Sequence, residues 1–395
     1  MNLLVIKIGK ALSAIRNDGV IRAGKRILAG MWAIVRPVGC GSVLFISGGT
    51  GDSARYRTKH VAEFLRNHGI EARITVQDRP GLVRYLNHFQ VFVFHRVMMT
   101  PSVSKMIEAI QKQKKTIIFE TDDLVFDQEY LQHMDILKNM NVFEKKQYEK
   151  GVGVEILEND FVRVATATTS FLAEKLRERG KEVFIVPNML SEEDLAWAQQ
   201  SRERKALQEK KDEEICIGYS SGTKSHDKDF MTATPALIRI LQEYEQVRLR
   251  IVGPLLLDDA FAPFSQRIER VPFLSRKKHF FALADITINI APLEMGNPFC
   301  EGKSELKWFE AGIVGVPTVA SATQTFCEAI ESGKDGFLAK TQKEWYDILS
   351  KLIEDSSVRH SVGKEAQKSA LSRYTTESEI GKEYIQFLKT RKNKK

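Results

Sequence analysis

The sequence has few of the residues that build a covalent or metal-held framework. Its four cysteines are far apart and share no metal-ligand spacing: Cys40, Cys216, Cys300 and Cys327. This excludes a disulfide scaffold and a zinc module, and none of the eight histidines pairs with another at zinc spacing. We therefore expect reduced thiols, as in the cytoplasm, and no bound metal or other cofactor.

Long apolar runs and internal repeats are also lacking. No stretch of about 18 uninterrupted apolar residues occurs, so no transmembrane helix is predicted, and no repeat of solenoid length is visible. The chain has 395 residues, of which 43% are hydrophobic and 28% charged. This length and composition suit two globular domains of ordinary size.

Basic charge is scarce in the body of the chain and concentrated at its two ends. Residues 1–37 hold seven Lys/Arg against one acid, and residues 389–395 hold five Lys/Arg, while the whole chain carries only +8. The body between the ends is therefore slightly acidic. A nucleic-acid groove needs basic residues across the folded body, so we expect no nucleic-acid partner.

Residues 1–37 are predicted to form a basic amphipathic extension. Within 1–36, apolar residues such as Ile15, Leu28 and Trp32 are interleaved with lysines and arginines. A helix of this kind suits an anionic membrane surface, which predicts a peripheral position at the inner face of the membrane. The alternative is an extension that packs on the body of the protein.

Residues 38–190 alternate between predicted strands and helices. Strands are predicted at 42–47, 72–76, 91–95, 116–120, 160–165 and 183–186, and helices at 56–68, 102–114 and from about 169. Strand–helix alternation is typical of a parallel, doubly wound sheet. We expect this region to be one Rossmann-like domain.

A second alternation follows a polar stretch. Residues 191–211 are rich in charge and are predicted to be a hinge or linker that is partly helical. Strands are predicted at 215–219, 247–252, 268–271, 286–291, 318–320 and 337–339, with helices at 235–244, 343–354 and 359–373. Residues 212–375 therefore form a second Rossmann-like domain, and 376–395 a final helix, crossing back to the first domain, and a basic tail.

The most informative segment is 297–321, which is typical of a loop, a helix, a tight turn and a strand. The helix is predicted to begin near Ser304, where free backbone N–H groups and Lys303 suit a phosphate. Glu310 lies nearly two turns further on, and its carboxylate can accept hydrogen bonds from vicinal hydroxyls, as on a ribose. Phosphate and ribose together describe a nucleotide-sugar site.

Glu310 and the turn and strand at 315–320 resemble the second half of a known donor-site signature. That signature belongs to retaining glycosyltransferases of the GT-B fold, family 4 in particular, and has two glutamates with seven residues between them. Here Gly302 occupies the first glutamate position, and the nearest glutamate is Glu301. The lysine-rich run at 303–307 resembles a bacterial branch that builds surface polysaccharides.

The resemblance implies an α/β protein of GT-B fold, with two doubly wound Rossmann-like domains facing a central cleft. It implies donor binding by Lys303, Ser304, Glu305 and Glu310. Glu301 would approach the donor sugar as a catalytic residue, unless Lys303 and Ser304 have taken over that role.

The loop after the first strand of the second domain is also predicted to bind the donor. Enzymes of the resembling family place small residues and a lysine there, against the diphosphate. Ser221, Gly222 and Thr223 can donate hydrogen bonds, and Lys228 is the best match for the lysine, with Lys224 as the alternative. A cation at this point stabilises the departing diphosphate, so Lys228 is predicted to be both donor-binding and catalytic.

In the first domain, two strand ends carry candidate residues. The glycine loop after the first strand contains Gly49, which the resemblance places near the donor, and it is followed by Arg55 and Arg57, which can pair with an anionic acceptor. His95 ends another strand, at the edge where ligands bind in α/β sheets. The resembling enzymes often point a histidine from this domain at the donor sugar, so His95 is predicted to be catalytic.

Adjacent carboxylates, Asp122 and Asp123, follow the strand at 116–120. Such a pair can hold a divalent cation, but the resembling family does not normally need a metal. Asp122 is therefore predicted to bind acceptor hydroxyls.

The implied reaction transfers a sugar from a nucleotide diphosphate sugar to a hydroxyl of a glycan or lipid-linked acceptor, with retained anomeric configuration. Such a reaction suits cell-surface polysaccharide synthesis. Two alternatives stay open: a non-catalytic, membrane-associated protein that binds sugar nucleotides, and an epimerase of GT-B fold that acts on nucleotide sugars.

Overall fold

The computed structural model describes residues 20–131, 145, 148, 151–207, 214–222 and 227–392. The chain divides into two compact units. The first unit comprises Met1–Met189 and Glu379–Lys395, and the second comprises Leu190–Ser378. Each unit contains one six-stranded parallel sheet, which confirms the predicted α/β class with two doubly wound sheets.

In the first unit the strand order is β2-β1-β3-β4-β5-β6. The strands are β1 (Val43–Ser47), β2 (Ala72–Val76), β3 (Val91–His95), β4 (Thr116–Thr121), β5 (Val164–Ala167) and β6 (Glu182–Ile185). The central strands β1 and β3 are buried at every position, because helices cover both faces of a parallel sheet and continuous apolar runs such as these fill its middle.

The helices of the first unit connect and cover these strands. They are Val20–Val35, Asp52–Ala54, the π-helix Arg55–His60, Val61–Asn67, the 3₁₀ helix Leu82–His88, Pro101–Lys112, the 3₁₀ helix Leu124–Phe126, Gln128–Leu131, Val154–Leu157, Ser170–Arg177 and Lys382–Lys392. Thr100 and Thr169 cap the helices that follow them with side-chain hydrogen bonds, as short hydroxyl residues at helix starts do.

In the second unit the strand order is β12-β11-β10-β7-β8-β9. The strands are β7 (Ile215–Ser220), β8 (Val247–Val252), β9 (Ile268–Val271), β10 (Ile288–Ala291), β11 (Thr318–Ser321) and β12 (Phe337–Ala339). The helices are Glu192–Leu207, Asp227–Met231, Thr234–Glu243, the 3₁₀ helix Asp259–Arg267, Arg276–Ala284, Pro298–Glu301, Leu306–Gly312, Gln324–Ala329, Gln342–Glu354 and Ser356–Arg373.

All the predicted strands are present, and the largest displacement is in β5. Its strand was predicted from residue 160 but begins at Val164. The side chain of Asn159 accepts a hydrogen bond from the Phe161 amide at 3.0 Å, and its carbonyl accepts one from Val162 at 2.8 Å. This asparagine turn occupies the residues that the prediction gave to the strand.

The segment predicted as a partly helical hinge is mostly helix. Glu192–Leu207 is one continuous helix, and Ala198 is completely buried in a core of the second unit. Ser191 and Asp194 exchange side-chain to backbone hydrogen bonds at the helix start, a reciprocal cap that fixes its first turn. This helix therefore belongs to the second unit, while residues 208–211 of the predicted linker lie outside the described residues.

The last helix, Lys382–Lys392, lies in the first unit although it follows the second in the chain. Tyr384, Ile385 and Leu388 are buried in the core beside β1 and β3. The burial of these three side chains attaches the end of the chain to the first sheet.

Part of the predicted amphipathic extension is described, as the helix Val20–Val35. Arg79 donates hydrogen bonds to the carbonyls of Ile34 at 2.8 Å and Arg36 at 2.7 Å, which satisfies carbonyl groups at the end of this helix. Residues 1–19 lie outside the described residues. Among the described residues, no helix combines the length and apolar character needed to cross a bilayer.

Candidate functional site

Each sheet has one point where the strand order changes direction. In the first unit β1 lies between β2 and β3, and in the second β7 lies between β8 and β10. Ligands of open α/β sheets bind outside the carboxyl ends of the strands at such a switch point. The loops that follow β1, β3, β7 and β10 therefore contain the candidate sites.

The segment 297–321, which was predicted to bind the donor, has a different structure from the prediction. Two short helices, Pro298–Glu301 and Leu306–Gly312, replace one helix beginning near Ser304. Glu305 occupies the cap position, and Ser304 lies one residue before it. With only seven residues in the second helix, the dipole that was expected to hold a phosphate at Ser304 is weak. Any attraction for an anion must come from side-chain charge.

Two lysines supply that charge. The Lys307 ammonium lies 4.8 Å from the ring centroid of Tyr219, which is on β7. Burial, with a smaller contribution from the neighbouring Lys303, lowers the pKa of Lys307 to about 8, while Asp229 opposes the change. Lys303, the predicted donor residue, is partly exposed. The carboxyl end of β7 thus faces a small cationic region.

Asp229 braces the loops around this region. Its Oδ1 accepts hydrogen bonds from the Cys300 thiol at 3.1 Å and from the Glu294 amide at 3.2 Å. Asp229 lies in the helix Asp227–Met231, so these bonds join the loop after β7 to the loop after β10. Burial and the nearby carboxylate raise the pKa of the Cys300 thiol, which keeps it protonated and able to donate this bond.

Glu310 is buried and held by two basic side chains. Arg276 donates to its Oε1, and Nε2 of His279 lies 3.1 Å from its Oε2. Arg276 also forms a two-pronged pair with Asp194, at 2.9 and 3.0 Å. Each carboxylate oxygen can accept more than one hydrogen bond, so Glu310 is fixed in position and keeps capacity for a ligand hydroxyl.

The other two glutamates of the donor segment have internal contacts. Glu301 accepts hydrogen bonds from the amides of Gly296 at 2.9 Å and Gln324 at 2.8 Å, so its carboxylate ties two loops together instead of extending towards a sugar. Glu305 is 5% exposed, and its Oε2 has no hydrogen-bond partner among the described residues. Burial raises the pKa of Glu305. Its position beneath the surface differs from the predicted donor contact.

The loop after β7 approaches the loop after β8 closely. Ser221 is buried, and its amide donates to the Val252 carbonyl at 2.8 Å. A Cβ at Gly253, whose φ is +90°, would lie 2.1 Å from the Ser221 carbonyl oxygen, so only glycine fits there. Gly222 and Lys228 are exposed, whereas the predicted Thr223 lies outside the described residues.

In the first unit, His95 and Asp122 come together at the ends of β3 and β4. Nε2 of His95 is 3.0 Å from the Ser53 hydroxyl and 3.5 Å from Asp122. Arg96 forms a 2.7 Å ion pair with Asp122. Although burial raises the pKa of Asp122, the charge of Arg96 and the hydrogen bond from His95 hold it well below its usual value. Asp122 is therefore a carboxylate at neutral pH.

The surroundings of His95 combine a buried ring nitrogen with an exposed glycine loop. Its Nδ1 is buried and has no hydrogen-bond partner among the described residues. Beside it, a Cβ at Gly48 would lie 1.9 Å from the Arg96 carbonyl oxygen, so the loops after β1 and β3 touch at this glycine. Gly49 is exposed, with open space around its Cα. The two loops and the histidine thus form one polar corner.

Arg57 differs from its predicted role as an acceptor-binding residue. Its guanidinium is completely buried and pairs with Glu120 through bonds of 2.7 and 3.1 Å. It also donates to the Val186 carbonyl at 2.7 Å. A side chain enclosed in this way stabilises the fold and does not reach an acceptor. Arg55, by contrast, is partly exposed and pairs with Asp52 at 2.8 Å.

Some residues of these clusters were not predicted from the sequence. They are Ser53, Lys307, Asp229, Arg276 and His279. Lys307 precedes Glu310 by three residues, and this helical spacing was a usable signal. The contact of Arg276 with Glu310 joins positions 34 residues apart, which no local pattern indicates. Among the described residues, no group of three or more His, Cys, Asp or Glu side chains could hold a metal ion.

Residues 215–355, which contain all six strands of the second sheet, match the family model described as glycosyl transferases group 1. A comparison with curated protein sequences found no match.

Solved structures resemble the whole chain. Anabaena HepE, in complex with UDP, has a TM-score of 0.59 at 16% identity, over 88% of this chain and 100% of that one. A glycosyltransferase from Rickettsia africae has a TM-score of 0.60 at 10% identity, over 90% of this chain and 100% of that one. Sucrose-phosphate synthase from Thermosynechococcus elongatus has a TM-score of 0.58 at 13% identity, over 88% of this chain and 100% of that one.

At these identities the structural likeness establishes the fold, which is GT-B, as the sequence predicted. The family model adds a likeness of the second unit to glycosyl transferases group 1. Together, the group 1 match and the shared architecture support a glycosyltransferase of GT-B fold.

Proposed function

We propose that the protein transfers a hexose or related sugar from a nucleotide diphosphate sugar to an acceptor hydroxyl, with retention and without a metal. The observation that carries this proposal is the switch point of the second sheet. There, Lys303 and Lys307 provide positive charge. Glu310 lies on the same helix as Lys307 and is fixed by Arg276. Cations and an ordered carboxylate suit the diphosphate and the ribose of a sugar nucleotide.

In the proposed reaction the bond between the anomeric carbon and the diphosphate oxygen breaks. The acceptor oxygen bonds to the same carbon on the same face, and its proton passes to the departing diphosphate. Negative charge grows on the diphosphate as it leaves, so the lysines at the second switch point stabilise the transition state more than the bound donor. Lys228, exposed on the helix after β7, is proposed to add to this charge.

The polar corner of the first unit is proposed to serve the donor sugar and the acceptor. His95 offers a buried Nδ1, and Asp122 is a carboxylate that can orient a hydroxyl. Gly49 and Arg55 lie on the exposed loop and helix beside them. The acceptor is proposed to be a glycan or a lipid-linked saccharide, as in the synthesis of cell-surface polysaccharides.

A UDP-sugar is the first donor to test, because HepE was solved with UDP-glucose as well as with UDP. The experiment is calorimetric titration of the full-length protein with UDP-, GDP-, dTDP- and ADP-sugars, followed by measurement of released nucleotide. We expect one base to be preferred and to show slow release of free nucleotide. No binding of any donor by folded protein would favour the non-catalytic alternative.

Glu310→Gln makes this experiment specific to the ribose contact. The change keeps the shape of the side chain and removes its charge, and we expect it to weaken UDP binding by roughly tenfold. UDP lacking both ribose hydroxyls is the matched ligand, because it should bind the variant and the wild-type protein equally. If the variant weakens both ligands alike, Glu310 acts through the fold and not through the ribose.

Membrane attachment is part of the proposal, with the protein on the cytoplasmic face. On the helix Val20–Val35, the side chains of Leu28, Met31, Trp32 and Val35 are between 61% and 67% exposed. Their spacing puts them on one face of the helix, and the basic residues of this extension suit anionic lipid.

Vesicle sedimentation tests the attachment. We expect the wild-type protein to bind phosphatidylserine-containing vesicles and the double variant Leu28→Ser, Trp32→Ser to bind more than about tenfold more weakly, since two large apolar side chains leave the lipid. Leu371→Ser removes an apolar side chain that is 46% exposed on the second unit and should leave vesicle binding unchanged. Equal binding by wild type and the double variant would contradict the membrane proposal.

A further inference from the structure

Arg96, directly after β3, has a backbone conformation that favours glycine. Its φ is +49°, in the left-handed region that a residue with a Cβ enters at a cost in free energy. On one side of it, the His95 carbonyl accepts a hydrogen bond from the Gly48 amide at 2.9 Å. On the other side, the Met98 amide donates to Oε1 of Gln77 at 2.9 Å. The turn alone would favour glycine at position 96, so an arginine there indicates a task for the side chain.

The guanidinium of Arg96 extends to the end of β4. Its Nε donates to Oδ1 of Asp122 at 2.7 Å, and its Nη2 lies 3.7 Å from Oδ2 of Asp123. The side chains of Asp122 and Arg96 are 14% and 26% exposed, so water screens this ion pair less than a pair on the open surface. The other titratable groups around the pair are His95 and Tyr148. Arg96 thus fixes both the position and the charge of Asp122.

Asp122 in turn faces one ring nitrogen of His95. Nε2 of His95 lies 3.5 Å from Oδ1 of Asp122 and 3.0 Å from the Ser53 hydroxyl. A carboxylate can only accept hydrogen bonds, so the hydrogen of a neutral ring belongs on Nε2. Nδ1 then has a lone pair, and it is buried without a partner in the part of the chain that the structure describes. A buried acceptor of this kind requires a hydrogen-bond donor, which a sugar hydroxyl supplies.

We infer that Arg96 is a positioning residue for His95. By fixing the Asp122 carboxylate against Nε2, it keeps the ring hydrogen on that nitrogen and leaves Nδ1 to accept a hydrogen bond from a substrate hydroxyl. The inference rests on the proposed function, because it states how His95 is prepared for the sugar. Arg96 acts through Asp122 and His95, and not by direct contact with the substrate.

Nitrogen-15 NMR of the full-length protein with labelled histidines locates the ring hydrogen without any substrate. The His95 signals are assigned by their loss in His95→Gln. At pH 8.0, above the usual titration range of histidine, wild type and Arg96→Lys should show a neutral ring with its hydrogen on Nε2. Arg96→Met should show a mixture of the two tautomers, because Asp122 is no longer held. A wild-type ring with hydrogen on Nδ1 or on both nitrogens, or a ring unchanged in Arg96→Met, would overturn the inference.

Nucleotide release and UDP binding measure the consequence for the proposed reaction. We expect Arg96→Met to lower the rate of release by at least about tenfold, with UDP affinity within about twofold of wild type, and Arg96→Lys to restore most of the rate. Arg96→Gly relieves the left-handed backbone, so it should be as slow as Arg96→Met but no less stable to heat. The double variant His95→Ala, Arg96→Met should be about as slow as His95→Ala alone, since Arg96 acts through the histidine.

Arg163→Met is the matched control, because Arg163 is exposed directly before β5, and it should behave as wild type in every assay. Full turnover by Arg96→Gly would show that the side chain has no role, and losses that multiply in the double variant would show that Arg96 acts independently of His95. Either result contradicts the inference. If wild type neither binds nor hydrolyses any of the sugar nucleotides, the proposed function fails, while the NMR spectra still decide whether Arg96 controls the tautomer.

Discussion

The two switch points have the same architecture and differ in how far their charges are paired. In the first unit the charges are paired: Asp122 with Arg96, and Glu120 with Arg57. In the second unit Glu310 is paired with Arg276, whereas the Lys307 ammonium lies over the ring of Tyr219 with Asp229 and Lys303 among the charges around it. One oxygen of Glu305 has no hydrogen-bond partner among the described residues. An uncompensated charge is costly to keep, so its presence indicates either a ligand or a tolerated cost. This difference favours the proposal that the nucleotide binds at the second switch point.

The pairing in the first unit should be essential to its stability. Arg57→Met removes a completely buried guanidinium and leaves the Glu120 carboxylate without its partner. We expect the free energy of unfolding to fall by about 3–5 kcal/mol, because the remaining buried charge is uncompensated. Urea unfolding followed by circular dichroism measures this loss.

Arg55→Met is the matched control for that variant, two residues away on the same stretch of helix. Its guanidinium is a third exposed and pairs with an exposed carboxylate, so the expected change is within about 0.5 kcal/mol. A similar, small effect from both variants would show that the Arg57–Glu120 pair contributes no more than a surface pair. The charge pairing of the first unit would then not distinguish the two switch points.

The polar corner of the first unit should affect turnover and not nucleotide affinity. His95→Ala and Asp122→Asn are each expected to lower the rate of nucleotide release from the preferred sugar nucleotide by roughly a hundredfold, as loss of a positioned polar group does. UDP binding should stay within about twofold of wild type, since the nucleotide is assigned to the second unit. Steady-state kinetics and calorimetry measure the two quantities on the same preparations.

Reduced UDP binding in these two variants would contradict the assignment of nucleotide binding to the second unit. A further variant tests which ring nitrogen of His95 carries the function, because Nε2 lies 3.0 Å from the Ser53 hydroxyl. Ser53→Ala serves as the control: it removes the neighbour of Nε2 while leaving Nδ1 available. A loss of turnover equal to that of His95→Ala would mean that the Nε2 side, and not Nδ1, carries the function.

The sequence predicted the sheets well because their signals are local. Continuous apolar runs identified β1 and β3, and strand–helix alternation identified both units. The start of the helix in segment 297–321 was predicted less well. The sequence around Ser304, Glu305 and Leu306 suits a helix that begins at Ser304, whereas the helix begins at Leu306. Which residue caps that helix depends on burial against Tyr374 and the rest of the unit, as the hydrogen bond between Tyr374 and Glu305 illustrates.

Pairing between distant residues was beyond reach from the sequence. Arg57 looked like a surface arginine that could bind an anion, because nothing nearby in the chain indicated Glu120, which lies 63 residues away. Arg276 was overlooked for the same reason. By contrast, Lys303 and Glu310 were identified from a motif, because a short contiguous segment carries them. Contiguous signals can be interpreted from sequence, whereas contacts across a sheet require the fold.

The smallest expected effect concerns Glu305, the buried carboxylate of the second unit. Burial raises its pKa, so the folded protein binds a proton more tightly there than the unfolded chain does. Stability from this group is therefore highest near or below the ordinary pKa of glutamate and is lost as the pH rises through the raised value. Glu305→Gln removes the charge and the titration, and should stabilise the protein by about 1 kcal/mol at pH 8.

Urea unfolding of wild type and Glu305→Gln between pH 4.5 and pH 8.5 measures this difference. The free energy of unfolding of the variant should increase relative to that of wild type as the pH rises, because only the wild-type carboxylate becomes charged in the folded state. UDP affinity should be unchanged, since Glu305 lies beneath the surface with Tyr374. A variant that is less stable at pH 8 and binds UDP more weakly would place Glu305 in the donor site after all.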